Sequence, residues 1–272
     1  MTTGERTVPA GPPRHNADAD WDQWPVCAYL TENYRQLHHS DEVVIRHHSG
    51  FYRQFPPDSI GRSVEWGAGP NLYPLMPAAA ACRRIDAVEP GRSNIAYLTR
   101  QLRDGPDKSW QPFHALCRTL DPALPATLTE ALSKVRVVPG DARAVPQGIY
   151  DLASMSFVAE SVTEDPAEFA DLCRAFIRSV RPGGHLVAVF MENMPSYRIG
   201  AGVAWPACPV DGAMVHDVFT PHTKKLHITH VGKDPTLPDY GDTGMVLLRA
   251  ERRGDGGRGG EPSARHTGPV HE

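Results

Sequence analysis

The stretch VEWGAGPNLYPL, residues 64–75, runs from a short apolar strand ending near Glu65 into two closely spaced glycines and then into residues able to begin a helix. Gly67 and Gly69 let the backbone turn sharply and approach a ligand where a Cβ would clash. A dinucleotide-binding turn calls for a third glycine three residues on, where helix and strand pack beside a pyrophosphate, but that position is Leu72. The substitution weighs against a nicotinamide cofactor.

On either side of this turn, RSVEW (62–66), IDAVE (85–89), VRVV (135–138), YDLASMSF (150–157) and HLVAVFM (185–191) have the apolar character of buried strands. RSNIAYLTRQL (92–102) and DPAEFADLCRAFIRSV (165–180), with Pro166 in its first turn, predict helices between them. The second is stopped by Arg181-Pro182-Gly183-Gly184. This alternation predicts a mostly parallel sheet with helices on both faces. Ala28 to His48 predicts one or two amphipathic helices ahead of the sheet. KLHITHVG (225–232) and GMVLLRAER (244–252), joined by the turn-rich 234–243, predict an antiparallel hairpin. Residues 1–20 and 253–272 lack apolar periodicity and are expected to be disordered. That leaves one domain over 21–252, with N-terminal helices or a lid at 21–60 and a surface insertion at 105–133.

Composition narrows the function. The chain has 272 residues, 40% hydrophobic and 22% charged, an ordinary globular balance. Its net charge of -4 comes without a dense Lys/Arg cluster, which argues against a nucleic-acid partner. No run approaches the ~20 apolar residues of a membrane helix, and the start has no apolar run for a signal peptide, so a cytoplasmic protein with no membrane partner is expected. The five cysteines form no CxxC pair and read as buried or incidental thiols. The pairs His38, His39 and His47, His48 lack zinc-site spacing, and His227 and His230 fall on opposite faces of a strand, so no metal is expected. Ser154, Ser156 and Ser161 lack a G-x-S-x-G elbow, which disfavours serine hydrolysis.

The second strand ends in Glu89, where a carboxylate can accept hydrogen bonds from both hydroxyls of an adenosine ribose, a need shared by NAD and S-adenosylmethionine. After the third strand, Gly140-Asp141-Ala142 puts a carboxylate where it can meet an adenine amino group. The succession VEWGAGP, AVEP, PGDA, YDLASMSF and RPGGHLVAVFMEN, between Trp24 and Arg252, resembles the class I S-adenosylmethionine-dependent methyltransferases. Among them it resembles the nicotinamide, phenylethanolamine and thioether methyltransferase family.

The resemblance implies an α/β fold, a Rossmann-like three-layer αβα sandwich with a mostly parallel seven-stranded sheet, an antiparallel C-terminal hairpin and N-terminal lid helices. It also implies S-adenosylmethionine as cofactor, with S-adenosylhomocysteine as product. Tyr29 and Tyr34 would form a lid over the methionine end, and Tyr29 would also stabilise the transferred charge through its aromatic face. Gly67, Gly69 and Tyr73 would line the methionine, Glu89, Pro90 and Asn94 the ribose, and Asp141 and Ala142 the adenine. Glu65 and Ser156, at the ends of the first and fourth strands, would border the cofactor. Glu160 and Glu192 would face the acceptor and orient it or relay its proton, with Ser196 and Tyr197 in the acceptor wall. The implied acceptor is a small molecule methylated on nitrogen, an amine or a heteroaromatic ring, by a monomer or homodimer. Oxygen or carbon methylation in specialised metabolism, and a catalytically silent cofactor-binding protein of the same fold, are the alternatives. Trp66 departs from the small residue usual in the glycine motif, Glu89 from the commoner aspartate, and 200–221 does not align.

Overall fold

A computed structural model describes residues 14–202 and 204–254. The expected disordered ends therefore lie outside the described residues at 1–13 and 255–272. In chain order the elements are α1 (Val26–Asn33), α2 (His39–Tyr52), β1 (Ser63–Trp66), β2 (Ile85–Glu89), α3 (Arg92–Asp104), α4 (Gln111–Leu120), α5 (Leu128–Leu132), β3 (Val135–Pro139) and β4 (Tyr150–Ser156). They continue with α6 (Pro166–Ser179), β5 (Val180–Glu192), β6 (Ser196–Arg198), β7 (Ala204–Pro206), α7 (Gly212–Phe219), β8 (Thr223–Gly232) and β9 (Gly244–Arg252).

Seven strands form one sheet in the order β3-β2-β1-β4-β5-β9-β8. The first five are parallel, and β9 enters antiparallel between β5 and β8, the expected C-terminal hairpin. Because the central strands are covered on both sides, they are continuous apolar runs rather than alternating ones. Alternation sorts their side chains between two cores. Val187 and Val189 of β5 join the core under α2 and α4, while Leu186, Ala188 and Phe190 join the core under α6 and α7. Trp66 points to the second core and meets Phe176 edge-on at 5.7 Å, which is the room a small residue would have left empty.

Local chemistry sets the helices. Asp165 accepts the Ala167 N–H at 2.8 Å ahead of Pro166, starting α6, whose Phe169, Leu172, Cys173, Phe176 and Ile177 form one buried face. At the foot of the sheet the buried carboxylate of Asp86 gathers Arg62, Arg84 and Arg136 at 2.8–3.1 Å, with the Tyr150 hydroxyl at 3.1 Å.

Three expectations are corrected. Residues 105–133 are not an insertion over the surface: they carry α4 and α5, and their Trp110, Phe113, Cys117, Leu128 and Leu132 are buried in the main core. The Pro-rich composition marks the helix start, Pro112 in the first turn of α4, rather than a loop. Residues 14–20, expected to be disordered, instead contain a 3-10 turn at Asn16–Asp18, pinned by Arg14 to Glu164 at 3.0 Å and Asn16 to Asp141 at 3.2 Å. Arg181-Pro182-Gly183-Gly184 does not separate helix from strand as a turn. It lies within β5, opposite a register shift between Tyr150 and Leu152, with Gly183 at φ +75°. Truncating the buried indole by Trp110→Ala is expected to cost ~3–5 kcal/mol in urea unfolding, whereas a surface insertion would lose almost nothing.

Candidate active site

One large cavity opens at the C-terminal ends of β1, β2, β4 and β5, where the strand order reverses between β1 and β4. Open α/β sheets hold their ligands in such a crevice. Its floor is the glycine turn, in which Gly67 and Gly69 adopt φ of +59° and +56°. These are left-handed conformations that a side chain strains, and a Cβ on Gly67 would also stand 2.8 Å from Val158.

Glu89 ties this turn to the neighbouring helix. Its Oε2 accepts the Gly69 N–H at 2.9 Å, while Oε1 accepts the Gly91 N–H and the Asn94 amide, both at 2.9 Å. Burial pushes the carboxyl up, and these donors pull it back. Asp141 begins a 3-10 turn by accepting the Arg143 N–H at 2.7 Å. Burial would raise its pKa, but the Arg143 guanidinium outweighs that and holds it down. The segment 16–24 arches over this end. Trp21 donates to the Asn16 side chain at 2.9 Å, and Asp22 accepts the Arg92 N–H at 2.7 Å, capping α3 from outside the helix.

Tyr29 and Tyr34 come together above the glycine turn, their hydroxyls 3.3 Å apart, and the Asn71 amide donates to both at 3.3 Å. Aromatic rings continue the wall. Trp24 packs on Tyr29 at 5.2 Å and Trp205 at 5.0 Å, Trp21 stacks on Trp205 at 5.2 Å, and Tyr197 meets Tyr240 at 6.1 Å. The Tyr197 hydroxyl donates to the Ser161 carbonyl at 3.0 Å. The loop between β8 and β9 closes the far side with Asp234, Tyr240 and Asp242. Burial lifts Asp41, at the start of α2, to about 7, aided by the nearby Asp234. Asp234 is held at about 2, since hydrogen bonds from Thr236 and Ser40 outweigh its burial. Asp242 is buried, and its Oδ1 makes no well-aligned hydrogen bond but lies 3.3 Å from the Lys233 ammonium.

Of the residues expected here, Tyr29, Tyr34, Gly67, Gly69, Glu89, Pro90, Asn94, Asp141, Ala142, Ser156 and Tyr197 line the cavity. Five do not. Tyr73 stands behind Tyr34, stacked on Phe113 at 5.7 Å. Glu65 is buried in the sheet beside Ser154, and burial lifts it to about 7. Ser196 is exposed on β6. Glu192 turns to the hairpin, bound by His230 at 3.0 Å and Thr243 at 2.9 Å. Glu160 is fully buried, and its Oε1 accepts the Met191 N–H at 2.8 Å, occupying a strand edge that β4 no longer covers. Asn71, Asp41, Asp234, Asp242, Trp24 and Tyr240 line the cavity without having been singled out in the sequence. Asn71 lay within the quoted glycine stretch, but the others become neighbours only through the fold.

No protein-family model matches the sequence, and no curated protein matches it. Among solved structures, the N-methyltransferase NodS from Bradyrhizobium japonicum WM9, in complex with S-adenosyl-L-homocysteine, is 14% identical. That match covers 85% of this chain and 92% of NodS at a TM-score of 0.53. The 4+2 cyclase SpnF is 13% identical over 90% of this chain and 100% of its own, TM-score 0.57. A methyltransferase from Methanosarcina mazei, described as S-adenosylmethionine-dependent, is 11% identical over 75% and 98%, TM-score 0.50. These likenesses show the fold: the Rossmann-like sandwich found in S-adenosylmethionine-dependent methyltransferases.

Burial lifts Glu160 to about 8. An unfolded chain releases this proton near the ordinary glutamate value, ~4.3, while the folded chain keeps it. Stability therefore falls as pH rises from the ordinary value to about 8. Glu160→Gln is expected to flatten that slope in urea unfolding between pH 5 and 8; an unchanged slope would remove Glu160 from its cause.

Proposed function

We propose that the protein is an S-adenosylmethionine-dependent methyltransferase acting on a nitrogen of a small molecule. The carrying observation is the charge of the cavity wall: Asp41, Glu89, Asp141, Asp234 and Asp242 line it, and among the described residues no Lys, Arg or His does. A sulfonium donor and an amine that arrives protonated are both cations, and an anionic, aromatic wall favours both. The polar atoms left without partners also suit the cofactor. Asn94 Oδ1 and Asn71 Oδ1 are buried and unpaired, a state that buried groups rarely keep in the absence of a ligand or water.

When bound, S-adenosylmethionine supplies an electrophilic methyl group on a good leaving group. The work left to the chain is alignment and exclusion of water. Glu89 and Asn94 hold the ribose hydroxyls, Asp141 orients the adenine amino group, and Tyr29, Tyr34 and Asn71 close on the methionine end. At the other end Asp242 orients the amine, and Asp41 takes the proton that the amine must lose before its lone pair can attack. Trp24, Tyr197 and Tyr240 keep the reacting atoms dry. Glu160 and Glu192 have no part in this arrangement, because neither lines the cavity. The sequence resemblance to amine and heteroaromatic methyltransferases supports nitrogen as the acceptor atom. The occurrence of the same fold in a cyclase makes turnover, beyond cofactor binding, the decisive measurement.

Titration calorimetry with S-adenosylhomocysteine is expected to show binding that Glu89→Gln weakens roughly 10- to 100-fold, the worth of a charge-assisted hydrogen bond. A folded protein that binds none would overturn the proposal. In a mass-spectrometric screen of amines, Asp242→Asn is expected to keep S-adenosylhomocysteine affinity while kcat/KM falls roughly 10- to 100-fold, and Glu192→Gln is expected to change neither. Methylation undiminished in the Asp242 variant would remove that residue from the acceptor site. With Asp41 at about 7, kcat/KM should decline as pH drops below that value, and Asp41→Asn should abolish the inflection.

A further inference from the structure

A second cavity lies near the far end of α2, among Phe51 and Phe55, His185 of β5, Lys225 and His227 of β8, and Arg249 of β9. Its charge is the reverse of the first. Among its described lining residues the one carboxylate is Glu251, already taken by Lys224 at 2.6 Å and Lys225 at 3.0 Å. Arg249 is half-buried and sits over the Phe51 ring at 5.8 Å. Among the described residues it has no carboxylate partner and a single hydrogen bond, from Nη2 to the His47 carbonyl oxygen. Nη1 donates to nothing, and Nε is buried without an acceptor.

Arg62, also half-buried, pairs instead with a buried carboxylate, Asp86, at 2.8 Å. Withdrawing a guanidinium from water without a counter-charge costs free energy that a bound anion offsets. The imidazoles around Arg249 supply further hydrogen-bonding nitrogens. Among the described residues no three His, Cys, Asp or Glu side chains come together as metal ligands would. Phe51, Phe55 and His185, its ring tilted by 58° at 4.6 Å from Phe55, form an aromatic wall beside the charge.

We propose that this second cavity is a binding site for a small oxyanion, the carboxylate or phosphoryl group of a metabolite-sized molecule, with Arg249 as its principal partner and Lys225 and His227 at its mouth. It is separate from the acidic cavity, which such an anion would avoid. α2, β5, β8 and β9 line both at opposite ends, α2 through Ser40 and Asp41 at one end and His47 and Phe51 at the other.

The test uses the full chain, with inorganic phosphate and benzoate titrated at constant ionic strength against chloride and followed by the imidazole proton resonances of His185 and His227. Saturable shifts in the millimolar range or tighter are expected for at least one probe. Tighter phosphate identifies a phosphoryl ligand, and tighter benzoate a carboxylate on an aromatic body set against Phe51 and Phe55. Arg249→Gln is expected to weaken the binding at least ~10-fold. His227 stands directly opposite Arg249 in the β8–β9 register, so His227→Glu would supply the missing carboxylate on the same face. That variant is expected to melt at higher temperature and to lose the saturable shifts, and it carries the test alone if the arginine variant fails to fold. Absence of saturable shifts with both probes, or shifts that persist in the variants, would overturn the proposal.

Discussion

Glu89 is the constraint on which the candidate site depends. A carboxylate buried at the end of β2 would be costly alone. Here it gathers two backbone N–H groups and an amide from three places in the chain: the glycine turn after β1, the start of α3, and the first turn of that helix. The strained backbone at Gly67 and Gly69 is therefore held by something other than its own sequence. The same bonds bring together the parts that would grip an adenosine. From outside, Asp22 caps α3 and the segment before α1 leans on Asp141, so the chain's N-terminal part completes the enclosure.

The two halves of the cavity are built by different means. The half near β1, β2 and β3 consists of strand ends, a glycine turn and helix starts, where backbone geometry dictates which residue types can stand. The other half consists of aromatic rings and aspartates from α1, α2, the small β6–β7 sheet and the β8–β9 loop. Nothing in backbone geometry requires those particular residues. The first half suits a ligand common to many proteins of this fold, and the second a ligand particular to this one.

That division explains what could be read from sequence. The sheet, its parallel order and the C-terminal hairpin were legible because buried strands leave continuous apolar runs, and the last two lie close together along the chain. Gly67, Gly69, Glu89, Asn94 and Asp141 were legible because each follows a strand at a fixed offset. Glu160 and Glu192 were placed by the same offsets, yet one caps a strand edge inside the core and the other pairs with His230: offset from a strand does not tell which way a side chain turns. Asp41, Asp234 and Asp242 meet across the fold from distant segments, and no local pattern marks them. Prolines in 105–133 suggested a loop, whereas the buried faces of α4 and α5 carry a different periodicity that the proline content masked.

The Asp86 cluster has a consequence for the molecule as a whole. Three guanidiniums share one carboxylate at the foot of the sheet, an excess of two positive charges within that cluster. The carboxylates of the main cavity stand at the opposite end of the same strands. These two clusters contribute a dipole component along the parallel strands, negative at the mouth of the cavity. A cation diffusing nearby is pulled toward that mouth before any contact forms. Its encounter rate is set by a field that added salt shortens, and the pocket takes over only at the last few ångströms.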